Sequence, residues 1–253
     1  MQKTVFITGA TSGIGKACAE IFARNGYNII ANGRRAERLK DLKNELEKNF
    51  PVKVLTVDFD VQEKEQVFAA ADMLPSDWQK IDVLINNAGL ALGKASFEDA
   101  DLEDWETMLH TNVEGLLFVS KAFLPFVKKS PAGHIINIGS IAGKEVYENG
   151  NVYCASKFAV DAITKAMRIE LMPAGIKVTG IHPGAVETEF SLVRFNGDED
   201  KARAAYKGFK PLTGADVADT IWFCANLPPH ACINELTITC LQQANVFYYN
   251  KNP

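Results

Sequence analysis

Short runs of β-branched and aromatic residues alternate with longer segments of helical periodicity along the chain, and this alternation strongly restricts its possible folds. The predicted strands cover residues 4–8, 27–31, 52–57, 81–86, 134–138, 177–181 and 233–239. The predicted helices cover residues 13–24, 35–48, 63–73, 102–127, 153–171 and 215–226. Strands such as VFIT and HIINI are apolar on both faces, which is typical of a parallel sheet covered by helices on each side. Right-handed crossovers then predict an α/β fold of the Rossmann type, with a doubly wound sheet.

The sequence contains no internal repeat, low-complexity tract or linker, so residues 1–253 are expected to form a single domain. The segment 183–213 has the weakest periodicity and carries several charges. A connection of this length in a compact domain is usually a functional loop or a small helical insert. We therefore expect this segment to lie on the substrate side of the site as a loop or lid.

Charge and cysteine content exclude several classes of function. Lys and Arg number 27 against 31 Asp and Glu, the formal charge is -4, and basic residues are not concentrated in any stretch. Nucleic acid is therefore not an expected partner. The five cysteines form neither a CxxC motif nor a zinc spacing, which argues against a metal site. No apolar run reaches the roughly 20 residues of a membrane span, and the N-terminus carries no export signal, so we expect a cytoplasmic protein without a membrane partner.

A glycine-rich turn, TGATSGIG, follows the first predicted strand at residues 8–15 and leads directly into a helix. Glycines permit a tight turn and let the backbone approach a ligand closely. The free N–H groups and the positive end of the following helix attract a pyrophosphate. The strand before the turn and the helix after it distinguish this motif from an ordinary tight turn. The residues expected to contact a dinucleotide here are Gly9, Thr11, Ser12, Gly13, Ile14 and Gly15.

Two arginines follow the second predicted strand, where an NAD-selective site would carry an acidic residue. The guanidinium groups of Arg34 and Arg35 can each form paired hydrogen bonds with a phosphate. We interpret them as contacts to the 2′-phosphate of NADP(H). The alternative interpretation is that both residues simply begin a charged, solvated helix.

Tyr153 and Lys157 are four residues apart in a predicted helix, which places them on one face about 6 Å apart. This spacing is common by chance, so neighbouring features have to support it. Ser140 and the turn NNAG each follow an apolar strand, and open α/β sheets hold their ligands at such strand ends. Asn112 lies in the helical segment LHTNVEGLLF. The alternative is that Tyr153 and Lys157 form a solvated helix face, Ser140 caps a helix and Asn112 bonds to the backbone.

These motifs together resemble the short-chain dehydrogenase/reductase family over nearly the whole chain. The resemblance rests on TGATSGIG, NNAG, Asn112, Ser140, the pair Tyr153 and Lys157, and Pro183-Gly184 followed by Thr188. It implies an oxidoreductase with a seven-stranded parallel sheet, a nicotinamide cofactor, a dimer or homotetramer, and a catalytic set of Asn112, Ser140, Tyr153 and Lys157. The further cofactor contacts that it implies are Asp60, Val61, Asn87, Ala88, Gly89, Tyr153, Lys157, Pro183, Gly184, Val186 and Thr188, with Asp58 as the alternative to Asp60.

Hydride transfer between a nicotinamide and a carbonyl carbon requires a proton to move at the carbonyl oxygen. Tyr153 is the expected acid or base, and the ammonium of Lys157 is expected to lower the pKa of its phenol from the ordinary value near 10. The matching lysine in the family also hydrogen-bonds the nicotinamide ribose. Ser140 is expected to hold the substrate oxygen by a hydrogen bond. Asn112 is expected to anchor a water that relays the proton to solvent.

A closer likeness narrows the substrate. NNAGLALG, GHIINIGSIAG, GNVYCASK and PGAVETEFSLVRFNGDEDKA resemble the NADP-dependent 3-hydroxy acid dehydrogenases, which act on serine, allo-threonine, 3-hydroxypropionate and related acids. Substrate contacts are then expected from Ser140, Tyr153 and Arg194, whose guanidinium can pair with a carboxylate. Otherwise Arg194 is a surface or subunit-contact residue.

Two other functions stay open at this point. One is the reduction of an uncharged or carrier-bound ketone, such as a 3-oxoacyl thioester. The other is a cofactor-binding scaffold without turnover, against which the complete catalytic set argues. The tail 242–253, with its three clustered aromatic residues, is expected to contact either a neighbouring subunit or its own chain.

Overall fold

Seven parallel strands form the central sheet in the computed structural model, which describes residues 2–251. They are β1 (Thr4–Ile7), β2 (Asn28–Gly33), β3 (Val54–Asp58), β4 (Val83–Asn86), β5 (His134–Ile138), β6 (Lys177–Pro183) and β9 (Glu235–Ile238). The two short strands β7 (Val186–Glu187) and β8 (Leu212–Thr213) pair separately. The spatial order of the sheet is β3-β2-β1-β4-β5-β6-β9, so the chain reverses its direction of travel between β1 and β4. This switch point opens a crevice at the carboxyl ends of the strands.

Helices cover both faces of the sheet. They are α1 (Gly13–Arg24), α2 (Ala36–Asn49), α3 (Lys64–Asp72), α4 (Leu102–Leu109), α5 (Gly115–Val127), α6 (Asn151–Leu171), α7 (Glu189–Arg194), α8 (Glu199–Ala204) and α9 (Gly214–Ala225). Val5 and Ile7 of β1 belong to one apolar cluster with Phe22 of α1, whereas Phe6 belongs to a second cluster with Phe123 of α5. Successive strand residues point to opposite faces, so β1 is buried on both sides. The predicted doubly wound α/β class is confirmed.

The predicted helix 102–127 is interrupted by a π turn at His110–Glu114, which separates α4 from α5. Such a widened turn is rare and occurs frequently at functional sites. Asn112 lies in this turn, close to the amino end of α5. A π turn contains one residue more than a turn of α-helix. The periodicity of apolar residues does not reveal this extra residue, because the chain stays helical on either side of the turn.

The segment 183–213 begins at the end of β6 and contains β7, α7, α8 and β8. Thr188 caps the amino end of α7, where its side-chain oxygen accepts a hydrogen bond from the N–H of Phe190. Asp198 begins α8 in the same way, by accepting from Lys201. The weak sequence periodicity therefore corresponds to two helices too short to show a repeating apolar face.

Candidate active site

A cleft of about 590 Å³ lies at the carboxyl ends of the central strands. The turns that follow β1, β2, β4, β5 and β6 contribute to its walls, together with α6 and α7. The residues singled out from the sequence that line it are Gly9, Thr11, Ser12, Gly13, Ile14, Arg34, Arg35, Asp60, Val61, Asn87, Ala88, Gly89, Ser140, Tyr153, Lys157, Pro183, Gly184, Val186, Thr188 and Arg194. Gly15 and Asn112 lie behind this lining. The sheet topology thus brings the two halves of the expected site to a single cleft.

The glycine-rich turn has the backbone that a dinucleotide requires. Gly9 and Gly13 have φ angles of +65° and +53°, which lie in the left-handed region that favours glycine. At Gly15, a Cβ atom would run into the carbonyl oxygen of Gly9, so only glycine permits this approach of α1 to the strand end. Ser12, Gly13 and Ile14 at the start of α1 line the cleft, and the amino end of a helix is suited to binding an anion there.

The turn after β1 is held to the turn after β4 by Thr8, a residue that the sequence interpretation missed. Its hydroxyl accepts hydrogen bonds from the N–H groups of Asn87 and Ala88, both at 3.0 Å. The Asn87 amide donates in return to the carbonyl oxygen of Thr8, at 2.8 Å. A threonine before a glycine-rich turn is the signal for this contact, but its partner 79 residues away depends on the pairing of β1 with β4.

The two arginines lie at the mouth of the cleft, before α2 begins at Ala36. Arg35 donates to the hydroxyls of Thr11 at 3.0 Å and Ser12 at 3.2 Å. Arg34 pairs with Asp60 at 3.1 Å. These positions surround the place where the first turn of a dinucleotide-binding motif holds the ribose, and they fit an anionic group there.

Glu189 and Arg38 complete this charged region. Glu189 pairs with Arg35 at 3.0 Å and with Arg38 at 2.7 Å. The guanidiniums beside Glu189 lower the pKa of its carboxyl, although burial works against the charged form. Glu189 opens α7, so these pairs also join the segment 183–213 to α2. Asp58 ends β3 and, among residues 2–251, lies outside the lining of the cleft, whereas Asp60 belongs to it.

Asn112 uses its side chain to hold the backbone beside the cleft. Its amide nitrogen donates to the carbonyl oxygen of Leu90 at 2.8 Å and to the hydroxyl of Ser156 at 3.0 Å. Its oxygen accepts from the N–H of Leu90 at 2.8 Å. Both hydrogens of the amide are therefore committed to protein acceptors. The water relay expected at Asn112 stays a prediction, and this side chain does not supply a free donor for it.

Ser140, Tyr153 and Lys157 converge on the same part of the cleft, and each is less than one-tenth exposed. Ser140 begins a short 3-10 turn and accepts from the N–H of Ala142 at 3.1 Å, so it is both a cap and part of the cleft. Lys157 donates to the carbonyl oxygen of Ile138 at 3.0 Å. Gly89 passes close by, since a Cβ there would lie 3.5 Å from the Lys157 ammonium.

The pKa of Tyr153 departs from the expectation. Burial raises it above the ordinary value of 10, and this outweighs the opposing effects of the Ser140 hydroxyl and the Arg194 guanidinium. Burial also lowers the pKa of Lys157 to about 8. The expected lowering of the Tyr153 pKa by Lys157 stays a prediction for the enzyme with its oxidised cofactor bound, since in the chain by itself burial has the larger effect. The Lys157 ammonium is directed at Ile138, and removal from water is the stronger influence on the phenol.

Two aromatic side chains, Phe190 and Tyr147, form an aromatic wall of the cleft near the phenol of Tyr153. The ring of Phe190 lies 5.8 Å from that of Tyr153. The guanidinium carbon of Arg194 lies 5.7 Å from the centre of the Tyr153 ring and 5.8 Å from that of Tyr147. Neither Tyr147 nor Phe190 was assigned a role from the sequence, although Phe190 lies in the segment PGAVETEFSLVRFNGDEDKA. The wall gives Arg194 a place beside the reacting groups.

The carboxyl-terminal tail also reaches the cleft. The side-chain oxygen of Gln243 accepts from the N–H of Ala185 at 2.8 Å, and its nitrogen donates to the hydroxyl of Tyr249 at 2.6 Å. Tyr249 packs on Phe209 at 5.0 Å between ring centres. This part of the tail thus packs on its own chain, while Phe247 stays exposed. The last two residues of the tail 242–253 lie outside the described residues.

Comparisons with known proteins show the family of this chain. The family model described as short chain dehydrogenase matches residues 3–197. The chain belongs to this family. This short-chain dehydrogenase is therefore an oxidoreductase, as the sequence motifs predict.

Three relatives of this short-chain dehydrogenase show how far the likeness extends. It is 44% identical over 241 residues to the NADP-dependent 3-hydroxy acid dehydrogenase YdfG of Salmonella typhi. This alignment covers 95% of this chain and 96% of that protein. It is 42% identical over 245 residues to a sulfoacetaldehyde reductase of Chromohalobacter salexigens, and this alignment covers 96% of each protein. The closed form of a serine dehydrogenase complexed with NADP+ has a TM-score of 0.90 and 41% identity, and covers 99% of this chain and 100% of that one. Within residues 2–251, no helix of this short-chain dehydrogenase combines the length and apolar character needed to cross a bilayer.

Proposed function

We propose that this short-chain dehydrogenase uses NADP(H) to interconvert the 3-hydroxyl and 3-oxo forms of a small 3-hydroxy acid, of the serine, allo-threonine or 3-hydroxypropionate type. The observation that carries this proposal is the guanidinium of Arg194 beside the ring of Tyr153 in the cleft, at 5.7 Å. A cation at this distance suits a substrate whose acidic group lies a few bonds from the reacting carbon. The relatives named 3-hydroxy acid dehydrogenase and serine dehydrogenase act on substrates of that description.

Arg194 is held in place by hydrogen bonds with the backbone of Gly93. Its Nε donates to the carbonyl oxygen of Gly93 at 3.1 Å, and the N–H of Gly93 donates to the carbonyl oxygen of Arg194 at 3.0 Å. The guanidinium also lies beside the Tyr147 hydroxyl and lowers the pKa of that phenol, against the larger effect of burial. It lines the cleft, where a planar guanidinium can bind both oxygens of a carboxylate as a pair.

The cofactor site fits NADP(H) at both ends. The N–H groups at the start of α1 suit the pyrophosphate, and Arg34 and Arg35 suit a 2′-phosphate on the adenosine ribose. When bound, NADPH supplies the hydride that reduces the carbonyl, and NADP+ accepts it in the reverse direction. The relative of known structure complexed with NADP+ supports this assignment.

In the direction of reduction, Tyr153 donates its phenolic proton to the substrate oxygen as that oxygen becomes negative. Burial keeps the pKa of this phenol high, so the proton is present when it is needed. The hydroxyl of Ser140 donates a hydrogen bond to the same oxygen. In the direction of oxidation, the ammonium of Lys157 adds positive charge near the phenol and favours its loss of a proton.

The segment 183–213 contributes Thr188, Phe190 and Arg194 to the cleft. We propose that it forms the substrate side of the site and acts as its lid. The ion pairs of Glu189 with Arg35 and Arg38 would hold it near the cofactor. A dimer or homotetramer is the expected assembly, and sedimentation equilibrium tests it.

The decisive experiment compares Arg194→Ala with the unaltered enzyme on 3-hydroxypropionate and on its neutral methyl ester. We expect kcat/KM for the acid to fall by roughly 10- to 100-fold, the value of a hydrogen-bonded charge pair, and kcat/KM for the ester to stay within about twofold. Arg203→Ala is the control, because Arg203 is an exposed arginine of the same segment that pairs with Asp200. Equal losses on the acid and the ester would contradict the proposal.

A second candidate is the reduction of sulfoacetaldehyde, which is favoured by a 42% identical relative of that name. A sulfonate would meet the same guanidinium. The third candidate, an uncharged or carrier-bound ketone, would not need this cation. Rates of NADPH oxidation with malonic semialdehyde, sulfoacetaldehyde and an acetoacetyl thioester separate the three.

A further inference from the structure

A charged cluster lies directly behind the turn that carries Ser140. That turn continues through Ile141–Gly143, and Lys144 follows it. The ammonium of Lys144 donates to Asp161 at 2.8 Å and to Glu235 at 2.8 Å. Lys144 therefore joins the end of the Ser140 turn to α6 and to β9.

Asp161 belongs to the same face of α6 as the reacting side chains. It lies one helical turn beyond Lys157 and two turns beyond Tyr153, and both Asp161 and Lys157 are buried. The second oxygen of Asp161 accepts from Lys165 at 2.7 Å. Burial opposes the charged carboxylate, but the two ammonium groups lower the pKa of Asp161 below its ordinary value. Lys144 therefore pairs with an ionised carboxylate, that of Asp161, which the same helix holds in a fixed position relative to Tyr153 and Lys157.

The turn itself has little freedom between its neighbours. A Cβ on Gly139 would lie 2.5 Å from Nδ1 of His182, and a Cβ on Gly143 would lie 2.5 Å from the carbonyl oxygen of Lys157. His182 is almost fully buried on β6. The backbone on both sides of Ser140 is thus in contact with β6 below and with α6 beside it, and Lys144 holds its far end.

The cluster also contains the donor set of a possible cation site. Atoms of Asp161, His182 and Glu235 lie within 4.8 Å of one another. However, the ammonium of Lys144 already bridges the two carboxylates, and Lys165 adds a second positive charge. A divalent cation would have to displace one ammonium against the repulsion of the other. The ammonium groups of Lys144 and Lys165 balance the carboxylates of Asp161 and Glu235, so the cluster is suited to holding its neighbouring segments in place.

We propose that Lys144, held by Asp161 and Glu235, is a positioning residue that fixes the hydroxyl of Ser140 relative to the phenol of Tyr153. The proposal rests on the proposed function only in that these two hydroxyls act on the substrate oxygen. Small displacements of such groups have large effects, because a shift of about 1 Å can cost roughly 100-fold in rate. Among residues 2–251, Lys144 lies outside the lining of the cleft, so it would act through Ser140.

The test compares Lys144→Met with Lys144→Arg. For Lys144→Met, we expect kcat to fall at least about tenfold, while KM and the dissociation constant of NADPH, measured by fluorescence, stay within about twofold. Lys144→Arg should recover most of kcat, because its guanidinium can bond both carboxylates. The pH at which kcat of alcohol oxidation is half-maximal should move to higher pH in Lys144→Met, because the Ser140 hydroxyl is one of the groups that lowers the pKa of Tyr153.

Lys16→Met is the matched control, because Lys16 also approaches two carboxylates, Glu20 and Glu45, but on an exposed surface. It should leave kcat unchanged. If Lys144→Met fails to fold, Glu235→Gln is the second variant. It removes one of the two carboxylates that hold Lys144, on the exposed side of the cluster, and should also lower kcat. Unchanged kcat, or losses that Lys144→Arg does not recover, would overturn the proposal.

Amide hydrogen exchange of residues 139–144 in the NADP+ complex provides a readout that needs no substrate. Exchange should become faster in Lys144→Met and stay unchanged in Lys16→Met. If the unaltered enzyme turns over no 3-hydroxy acid, the proposed function fails, and the exchange measurement alone decides the role of Lys144. Unchanged exchange in Lys144→Met overturns the role even when the enzyme is active.

Discussion

Lys157→Met should make the protein more stable at neutral pH while removing a group of the active site. Lys157 is 6% exposed, and burial lowers its pKa to about 8 from 10.5. The difference corresponds to about 3 kcal/mol of cost for keeping a buried ammonium charged. A methionine of similar length carries no such cost.

One opposing effect reduces this gain. The Lys157 ammonium donates to the carbonyl oxygen of Ile138 at 3.0 Å, and that oxygen loses its partner in the variant. A buried acceptor without a partner costs about 1 kcal/mol. We therefore expect the free energy of unfolding of Lys157→Met to exceed that of the unaltered protein by about 2 kcal/mol at pH 7.

The pH dependence identifies the cause. Below pH 8 the lysine is charged in both the folded and the unfolded state, so the cost of burying it is fully present. Between pH 8 and 10.5 only the unfolded state binds the proton, and the unaltered protein gains stability as the pH rises. The advantage of Lys157→Met should accordingly shrink over this range, vanish near about pH 9.5 and become a disadvantage of about 1 kcal/mol above about pH 10.5.

The assay is urea unfolding, followed by circular dichroism without cofactor, at pH 7 and pH 10. Lys40→Met is the control, since Lys40 is exposed on α2, and it should change the free energy of unfolding at neither pH. The reasoning is refuted if Lys157→Met is less stable than the unaltered protein at pH 7, or if its advantage is the same at both values of pH.

Two further predictions concern the cofactor and the phenol. Arg35→Ala should weaken NADP+ binding by roughly 10- to 100-fold and leave NAD+ binding within about twofold in titration calorimetry, because only NADP+ carries the 2′-phosphate; equal weakening of both would exclude that contact. Tyr153→Phe should lower kcat by roughly 100- to 10,000-fold, because the proton donor is lost, and should leave NADPH affinity measured by fluorescence unchanged. A Tyr153→Phe enzyme with the parental kcat would assign the proton transfer to another group.

Much of the fold and part of the site could be predicted from local sequence. Strand VFIT, the turn TGATSGIG and the helix that follows are adjacent in the chain, so their order and chemistry are visible without coordinates. The pair Tyr153 and Lys157 is visible for the same reason, because one helix carries both. The bounds of all seven predicted strands agree with the structure to within two residues at either end.

The contacts that the sequence did not reveal join distant parts of the chain. Thr8 binds a turn 79 residues away, and Gln243 of the tail holds Ala185 at a separation of 58 residues. Tyr147 and Phe190 enter the site because neighbouring strands bring their loops together. No pattern within a window of one helix or strand contains that information.

By itself, the sequence determined the class of fold, the side of the sheet that holds ligands, and the types of groups available there, because periodicity and motif spacing are local properties of the chain. The tertiary structure decided how those groups behave. Burial of Tyr153 and Lys157 moves their pKa values in directions that spacing on a helix cannot show, since the free energy of a charge depends on how much water the whole fold excludes from it. The tertiary structure also places Lys144, which belongs to no motif, between two carboxylates behind Ser140. These carboxylates belong to α6 and β9, which meet there only after the sheet has formed.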